Sequence, residues 1–310
     1  MNPHPAPSTE TEAAAARRGV LAASTAFVIW GLFPLYLKPL VAVPPLEILA
    51  HRIAWCLPFV LGWLAWQSRL PEVAAALRHR ASLARLTFSA VLIAVNWGVY
   101  VWAVSNGRVL ETSLGYFIGP LVNVLLGVGA LGERLNLRQW TAVGLAAAGV
   151  AWLAVAAGGL PWVSLVLASS FGVYGLVRKV INVGAVPGLA VETLLLAPAA
   201  FAWLAWLHHS GAASFGNAPA HVSVLLVGSG LATALPLALF ATGARLIPYS
   251  VVGLLTYIGP SLQLLLGVFL YGEPFAGTRA VGFSIIWVGI AVFVADGFLR
   301  SRQVPVPPPA

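Results

Sequence analysis

Long apolar stretches separated by short polar ones dominate the chain. Ten of them match a membrane-crossing helix in length, at approximately 19–37, 46–66, 86–104, 110–131, 139–157, 160–177, 187–207, 222–244, 249–271 and 279–298. A hydrocarbon core of about 30 Å takes about 20 helical residues to cross. The stretches do not alternate apolar and polar positions as a barrel strand does. Backbone groups in lipid must bond within their own segment, so the spans are predicted to be helices. Composition points the same way, with 60% hydrophobic and only 8% charged residues, where a soluble domain carries roughly 25% charged. The pattern predicts an all-α membrane protein with ten transmembrane helices.

The basic residues predict an orientation. With the N-terminus placed in the cytoplasm, thirteen of the 17 Lys and Arg residues fall on the inside, while Lys38, Arg108 and Arg279 fall outside and Arg52 lies within a span. Cytoplasmic loops collect such residues, so a multi-pass chain with both termini cytoplasmic is expected. This bias also explains the net charge of +8 without a nucleic-acid partner. Membrane lipid is the expected surrounding. Residues 1–16 have no apolar signal core, so the first span is read as retained. They read as a disordered, Pro- and Ala-rich cytoplasmic tail, and 300–310 as a second cytoplasmic tail. Cys56 is the only cysteine, which leaves no disulfide or cysteine metal set within one chain.

The chain repeats itself. FIGPLVNVLLGVGALGE at 117–133 and YIGPSLQLLLGVFLYGE at 257–273 align at an offset of 140. Gly119, Pro120, Gly127 and Glu133 thereby match Gly259, Pro260, Gly267 and Glu273, and Asn123 matches Gln263. Trp30-Gly31-Leu32-Phe33 resembles Phe171-Gly172-Val173-Tyr174, Lys38 matches Lys179, and Glu47 and Glu192 sit correspondingly early in the second and seventh spans. Five spans per copy is an odd number, so the second copy enters the membrane from the opposite face. The result is two inverted five-helix repeats, a plan shared by many secondary transporters with the substrate near the midplane.

GYFIGPLVNVLLGVGALGERL followed by RQWTAVGLAAAGV resembles the end of an EamA-type repeat of the drug/metabolite transporter superfamily. PPLEILAHRIAW, NWGVYVWAV, GRVLETSLGY and TALPLALF resemble its RarD branch, and the likeness covers about residues 18–298. The resemblance implies a first EamA-like five-helix repeat at 17–158 and a second at 159–299. It also implies a bacterial inner (plasma) membrane location and export of small metabolites or drugs.

Candidate chemistry lies inside the spans, where ionisable groups are costly and face protein or water. Glu47 and His51 share a helix face at i and i+4, with Arg52 beside them. They read either as a gate or proton-linked site in which Glu47 pairs with Arg52 in one state, or as an interfacial anchor with Arg52 snorkelling. Glu192 is expected near the opposite, cytoplasmic face, in an interface or as a coupling carboxylate. A coupling proton is thus one candidate partner beside the small-molecule substrate. Trp30, Asn96, Tyr100, Tyr116, Asn123, Ser170, Tyr174, Tyr257 and Gln263 are expected to line a pocket shared by the repeats, although amides in lipid also glue helices together. Pro120 and Pro260 should each kink a helix and free the carbonyls of Tyr116 and Thr256. The kinks are read as bending points of two gates or as packing features. Glu133 and Glu273 read as cap or loop residues. His208 and His209 lie in an outer loop.

HExxH, GxSxG, P-loop and Cys/His metal motifs are missing from the sequence. No cofactor is expected, and the chain is not expected to be an enzyme. The alternative function is an intramembrane enzyme acting on a lipid-soluble substrate through Glu47, His51 and Arg52. It lacks a second convergent catalytic group.

Overall fold

The computed structural model describes residues 9–106, 108–156, 158, 162–271 and 277–301. Twelve helices follow one another, and the described residues contain no strand. They are α1 (Thr9–Leu37), α2 (Pro45–Trp66), α3 (Leu70–Arg78), α4 (Arg80–Ser105), α5 (Val109–Leu131), α6 (Leu137–Ala156), α7 (Trp162–Val180), α8 (Ala185–His209), α9 (Ala220–Leu246), α10 (Tyr249–Leu255), α11 (Ile258–Tyr271) and α12 (Gly277–Ser301). Among the described residues nine segments are long and apolar enough to cross a membrane, with α10 and α11 counted together, and residues 280–296 of α12 form a shorter apolar helix. The ten predicted spans are all present. Because α10 and α11 make up one span and α3 lies between spans, twelve helices give ten crossings.

Three local features differ from the sequence expectation. Residues 9–16, expected as disordered tail, are the start of α1. Ala13 to Ala16 are the strongest helix formers and extend the helix toward the N-terminus. The connection after the second span contains the short helix α3, which buries Val73 and Ala76, one turn apart, and packs on α8. Arg69 and Glu72 pair across its first turn at 2.6 Å. The helix α4 begins at Arg80, ahead of the expected 86.

The two halves pack as an inverted pair. Each half contributes a set of contacts that the other returns: α1 with α9 as α7 with α4, α2 with α9 as α8 with α4, and α5 with α7 as α11 with α1. The pairs α2 with α8, α5 with α10 and α6 with α12 join equivalent helices to each other. Glycines set the closest approaches. A Cβ on Gly31 would stand 2.8 Å from Leu262, and one on the matching Gly172 would stand 2.7 Å from Val122. Leu262 and Val122 occupy the same repeat position, so the same seat is built twice.

The paired prolines behave differently from each other. The helix α5 runs unbroken through Pro120, so the kink expected there does not interrupt it. Its partner span breaks at Thr256 and Tyr257, and Pro260 falls in the first turn of α11, where a missing N–H costs little. The Thr256 carbonyl accepts the Gly259 N–H at 3.2 Å, so the break satisfies the carbonyl that proline displaces.

Candidate functional site

Buried ionisable residues form clusters at the two ends of α8 and one between them. At one end, Glu47 in the first turn of α2 is fully buried. Its carboxylate accepts the Ser214 N–H at 2.7 Å, the Ser214 hydroxyl at 2.9 Å and the Phe215 N–H at 3.1 Å. Glu47 thus clamps α2 to the loop between α8 and α9. His51 lies one turn on, with Nε2 3.9 Å from the Glu47 carboxylate. Trp55 donates to His51 Nδ1 at 3.2 Å, and the ring of Phe215 covers the imidazole at 5.0 Å. A crevice of about 710 Å³ opens beside this cluster, lined by Glu47, His51, Trp55, Phe201, His208 and Phe215. Among the described residues no group of three metal-ligating side chains gathers, there or elsewhere.

At the other end, Glu192 lies in the early turns of α8 and is 2% exposed. It stands 3.7 Å from the fully buried Arg178 of α7. Ser89 of α4 donates a short hydrogen bond to one carboxylate oxygen, and Tyr174 donates to the other at 3.3 Å. Arg178 also donates to the Ala185 carbonyl at 2.5 Å, and Gly188 leaves the space its guanidinium fills. Glu192 therefore joins α4, α7 and α8, as an interface reading expects. It sits near the opening turns of α8, while Glu47 touches the loop beyond its last turn, so the two carboxylates lie at opposite ends of the protein.

Arg52 points elsewhere. Its Nε–H donates to the Thr233 hydroxyl of α9 at 2.9 Å, and its guanidinium lies over the rings of Phe33 at 5.1 Å and Trp97 at 5.2 Å. The Glu47–Arg52 pair considered from sequence is not made here, because Glu47 is committed to the loop. Glu47 and His51 stand together, while Arg52 turns to α9. Tyr100 and Tyr116 stand close enough to Arg52 to interact with it electrostatically, and their rings are 6.2 Å apart. Tyr116 lies deep among protein atoms yet is 44% exposed. Its open surface faces a cavity between the helices that is not sealed from outside. Arg52, Trp97, Tyr100 and Phe33 are partly open beside it. A void of about 10 Å³, about one water in size, is lined by Trp97, Thr233, Cys56, Tyr174 and Glu192.

The other expected pocket residues divide into two groups. Trp30 and Gln263 are partly open, with Gln263 donating to the Trp30 carbonyl at 3.3 Å. Trp30 meets Phe171, its repeat partner, at 5.8 Å, so the two repeats touch through equivalent rings. Asn96, Asn123, Ser170, Tyr174 and Tyr257 are engaged in helix contacts instead. Asn96 donates to the Leu167 carbonyl and to Ser170 Oγ, tying α4 to α7. Asn123, Tyr174 and Tyr257 are each 1% exposed. Tyr249 donates its hydroxyl to Asn123 and the Gly172 carbonyl, and Tyr257 donates to the Phe117 carbonyl. In this arrangement these side chains close seams between helices and do not face the cavity.

Glu133 is a helix cap, as its position after a span suggests. It accepts the Tyr249 N–H at 2.5 Å and the Ser250 N–H at 2.9 Å, the first donors of α10. Its repeat partner Glu273 lies outside the described residues.

Sequence reasoning missed Phe33, Trp97 and Thr233 around Arg52, Ser214 against Glu47, and Ser89 with Arg178 against Glu192. Trp97 carried a signal, because it stands one turn before Tyr100 on α4. Thr233 and Ser214 carried none, since each meets its partner across more than 160 residues of chain.

Comparison with known proteins agrees with this architecture. Residues 17–155 match the EamA-like transporter family. An uncharacterized transporter of Pseudomonas aeruginosa is 44% identical over 94% of this chain and 98% of its own. Protein RarD of Escherichia coli is 41% identical over 93% of this chain and 97% of its own. A protein named chloramphenicol-sensitive protein RarD, also from Pseudomonas aeruginosa, is 35% identical over 92% and 96%. A crystal structure with 20% sequence identity superposes with a TM-score of 0.68 over 93% of this chain and 99% of the other, which supports the fold. The chain is a multi-pass bacterial membrane protein of the EamA-like transporter family, in its RarD branch.

Proposed function

We propose that this protein is a secondary transporter that exports a small metabolite or drug-like molecule by alternating access. The observation that carries the reading is the partly open surface of Arg52, Tyr100 and Tyr116 among the helices, with Glu47 and Glu192 fastening helices at opposite ends. Each fastening joins elements of the two repeats: Glu47 of α2 to the α8–α9 loop, and Glu192 of α8 to Ser89 of α4. Releasing one while keeping the other would open the cavity to one side at a time. In this reading the Glu192 end faces the cytoplasm, following the distribution of Lys and Arg. The buried carboxylates make a proton the first coupling ion to test.

The experiment is flux into and out of proteoliposomes containing the purified chain. Chloramphenicol is the first compound to try, given the name borne by one relative. The reading expects protein-dependent, saturable movement of an unchanged molecule, accelerated by an imposed pH gradient. Chemical conversion of the compound without net movement would contradict it.

A further inference from the structure

We propose that Arg52 is the anion-binding residue of the central cavity, and that the molecule carried is a small organic anion with a carboxylate on a flat or apolar body. The word carried rests on the transporter reading above; the binding site does not.

The first observation is an unmatched charge. A guanidinium inside a membrane span is costly and is normally paired. Arg178, buried among the helices, stands 3.7 Å from the Glu192 carboxylate. Arg52 differs: among the described residues no carboxylate comes within ion-pair distance of it. The nearest in sequence, Glu47, spends its oxygens on Ser214 and Phe215.

The second observation is a set of unused donors. A guanidinium carries five N–H donors. Arg52 uses one, from Nε to Thr233, and among the described residues its two terminal amino groups make no hydrogen bond to protein. They are not sealed in, since the buried polar atoms without partners include Nε and Nη1 of Arg178 but none of Arg52. Two adjacent amino groups that keep accessible surface and have no partner form the fork that takes a carboxylate with two parallel bonds.

The third observation is the wall. Phe33 and Trp97 hold the guanidinium by their ring faces, which orients it without consuming its donors. Tyr100 and Tyr116 continue the wall, and Tyr116 keeps 44% of its surface open. Aromatic faces beside a single charged group suit a flat or apolar body anchored at one end. A neutral ligand would leave the charge uncompensated, and a cation would be repelled. Snorkelling does not explain the placement. Arg52 lies about 10 Å along α2 from its start, at 1.5 Å per residue. It reaches inward to Thr233, well inside α9.

The test is binding to the purified full chain, read by thermal stabilisation and by isothermal titration. The probes are phenylacetate and indole-3-acetate, with phenylacetamide and indole-3-acetamide as neutral matches and inorganic phosphate as an anion without an apolar body. The proposal expects the two acids to raise the melting temperature and the amides and phosphate to leave it unchanged. Arg52→Gln should weaken the acids about tenfold or more, the scale of a lost charge-assisted hydrogen bond. Arg52→Lys, which keeps the charge but loses the fork, should fall between and shows that a loss is not misfolding. Equal stabilisation by acids and amides, stabilisation by phosphate alone, no stabilisation by any acid, or undiminished acid binding in a folded Arg52→Gln protein would each overturn it. Flux separates this failure from that of the transporter reading. If the acids bind but nothing moves, the anion site stands and transport fails. If chloramphenicol moves equally well with Arg52→Gln and no acid binds, transport stands and the anion site fails.

Discussion

Arg178 and Glu192 face each other at 3.7 Å with both side chains closed to solvent. Arg178 also keeps Nε and Nη1 without hydrogen-bond partners, so this is a charge pair with incomplete compensation. Removing one member should cost more than removing both. Glu192→Gln and Arg178→Met are each expected to destabilise by about 3–5 kcal/mol, because each leaves an unmatched buried charge or donor set. The double substitution should cost less than either single one. Thermal unfolding in detergent reads this, and strictly additive losses would show that the two residues are not coupled.

The glycine seats give a second, sharper contrast. Gly31→Ala and Gly172→Ala each place a Cβ within 2.8 Å of a packed side chain and should cost about 1–3 kcal/mol by overpacking. Nothing lies within 4 Å of a Cβ at Gly119 of α5. Gly119→Ala should therefore be neutral or gain up to about 1 kcal/mol from helix propensity. Equal losses at all three positions would mean that the seats are not what holds the repeats together.

Glu133 reaches from the α5–α6 connection to the first two amides of α10. Glu133→Ala leaves both donors without their side-chain acceptor and should cost about 1 kcal/mol, the usual worth of an N-terminal cap. Hydrogen exchange at Tyr249 and Ser250 should accelerate, with little change in α7. Unchanged exchange at those amides would remove the capping role.

Pro120 and Pro260 share a repeat position but not a backbone. The break at Thr256 and Tyr257 sits ahead of Pro260, while α5 is continuous. Pro260→Ala permits α10 and α11 to join and should shift which side can reach the cavity. Pro120→Ala should shift it the opposite way, as the inverted repeats require, and by less, since α5 has no break to mend. Cysteine accessibility from each side reads the shift. A shift in the same direction for both would end the paired-gate reading.

Most of the architecture was legible because it follows from one-dimensional signals. Span length and the 140-residue offset each report on the backbone's relation to the membrane or to its own copy. The candidate site was legible only in part. Glu47, Arg52 and Glu192 stood out because charge in a span is costly, and the structure places all three inside the protein. Their partners did not stand out. Ser214, Thr233 and Ser89 are ordinary residues whose meaning comes from helices brought together far from their sequence neighbours. Asn123, Tyr174 and Tyr257 looked like pocket residues for a related reason. Polarity in an apolar span signals a protein-facing side chain, but not whether the protein there is a seam or a cavity. Only packing decides between the two.

The central claim is that one interior is reached from one end at a time. Tyr116→Cys in a Cys56→Ser background gives a single reporter in the cavity. Glu47→Cys with Ser214→Cys, bridged by a short bifunctional thiol reagent before the reporter is deprotected, replaces the Glu47 clamp with a covalent one. Labelling of the reporter by impermeant maleimides is then measured from each side of the membrane, with and without the bridge. Alternating access predicts that the bridge abolishes labelling from the Glu47 side and preserves or increases it from the Glu192 side. Labelling that persists from the Glu47 side, or that stops from both, would contradict the account.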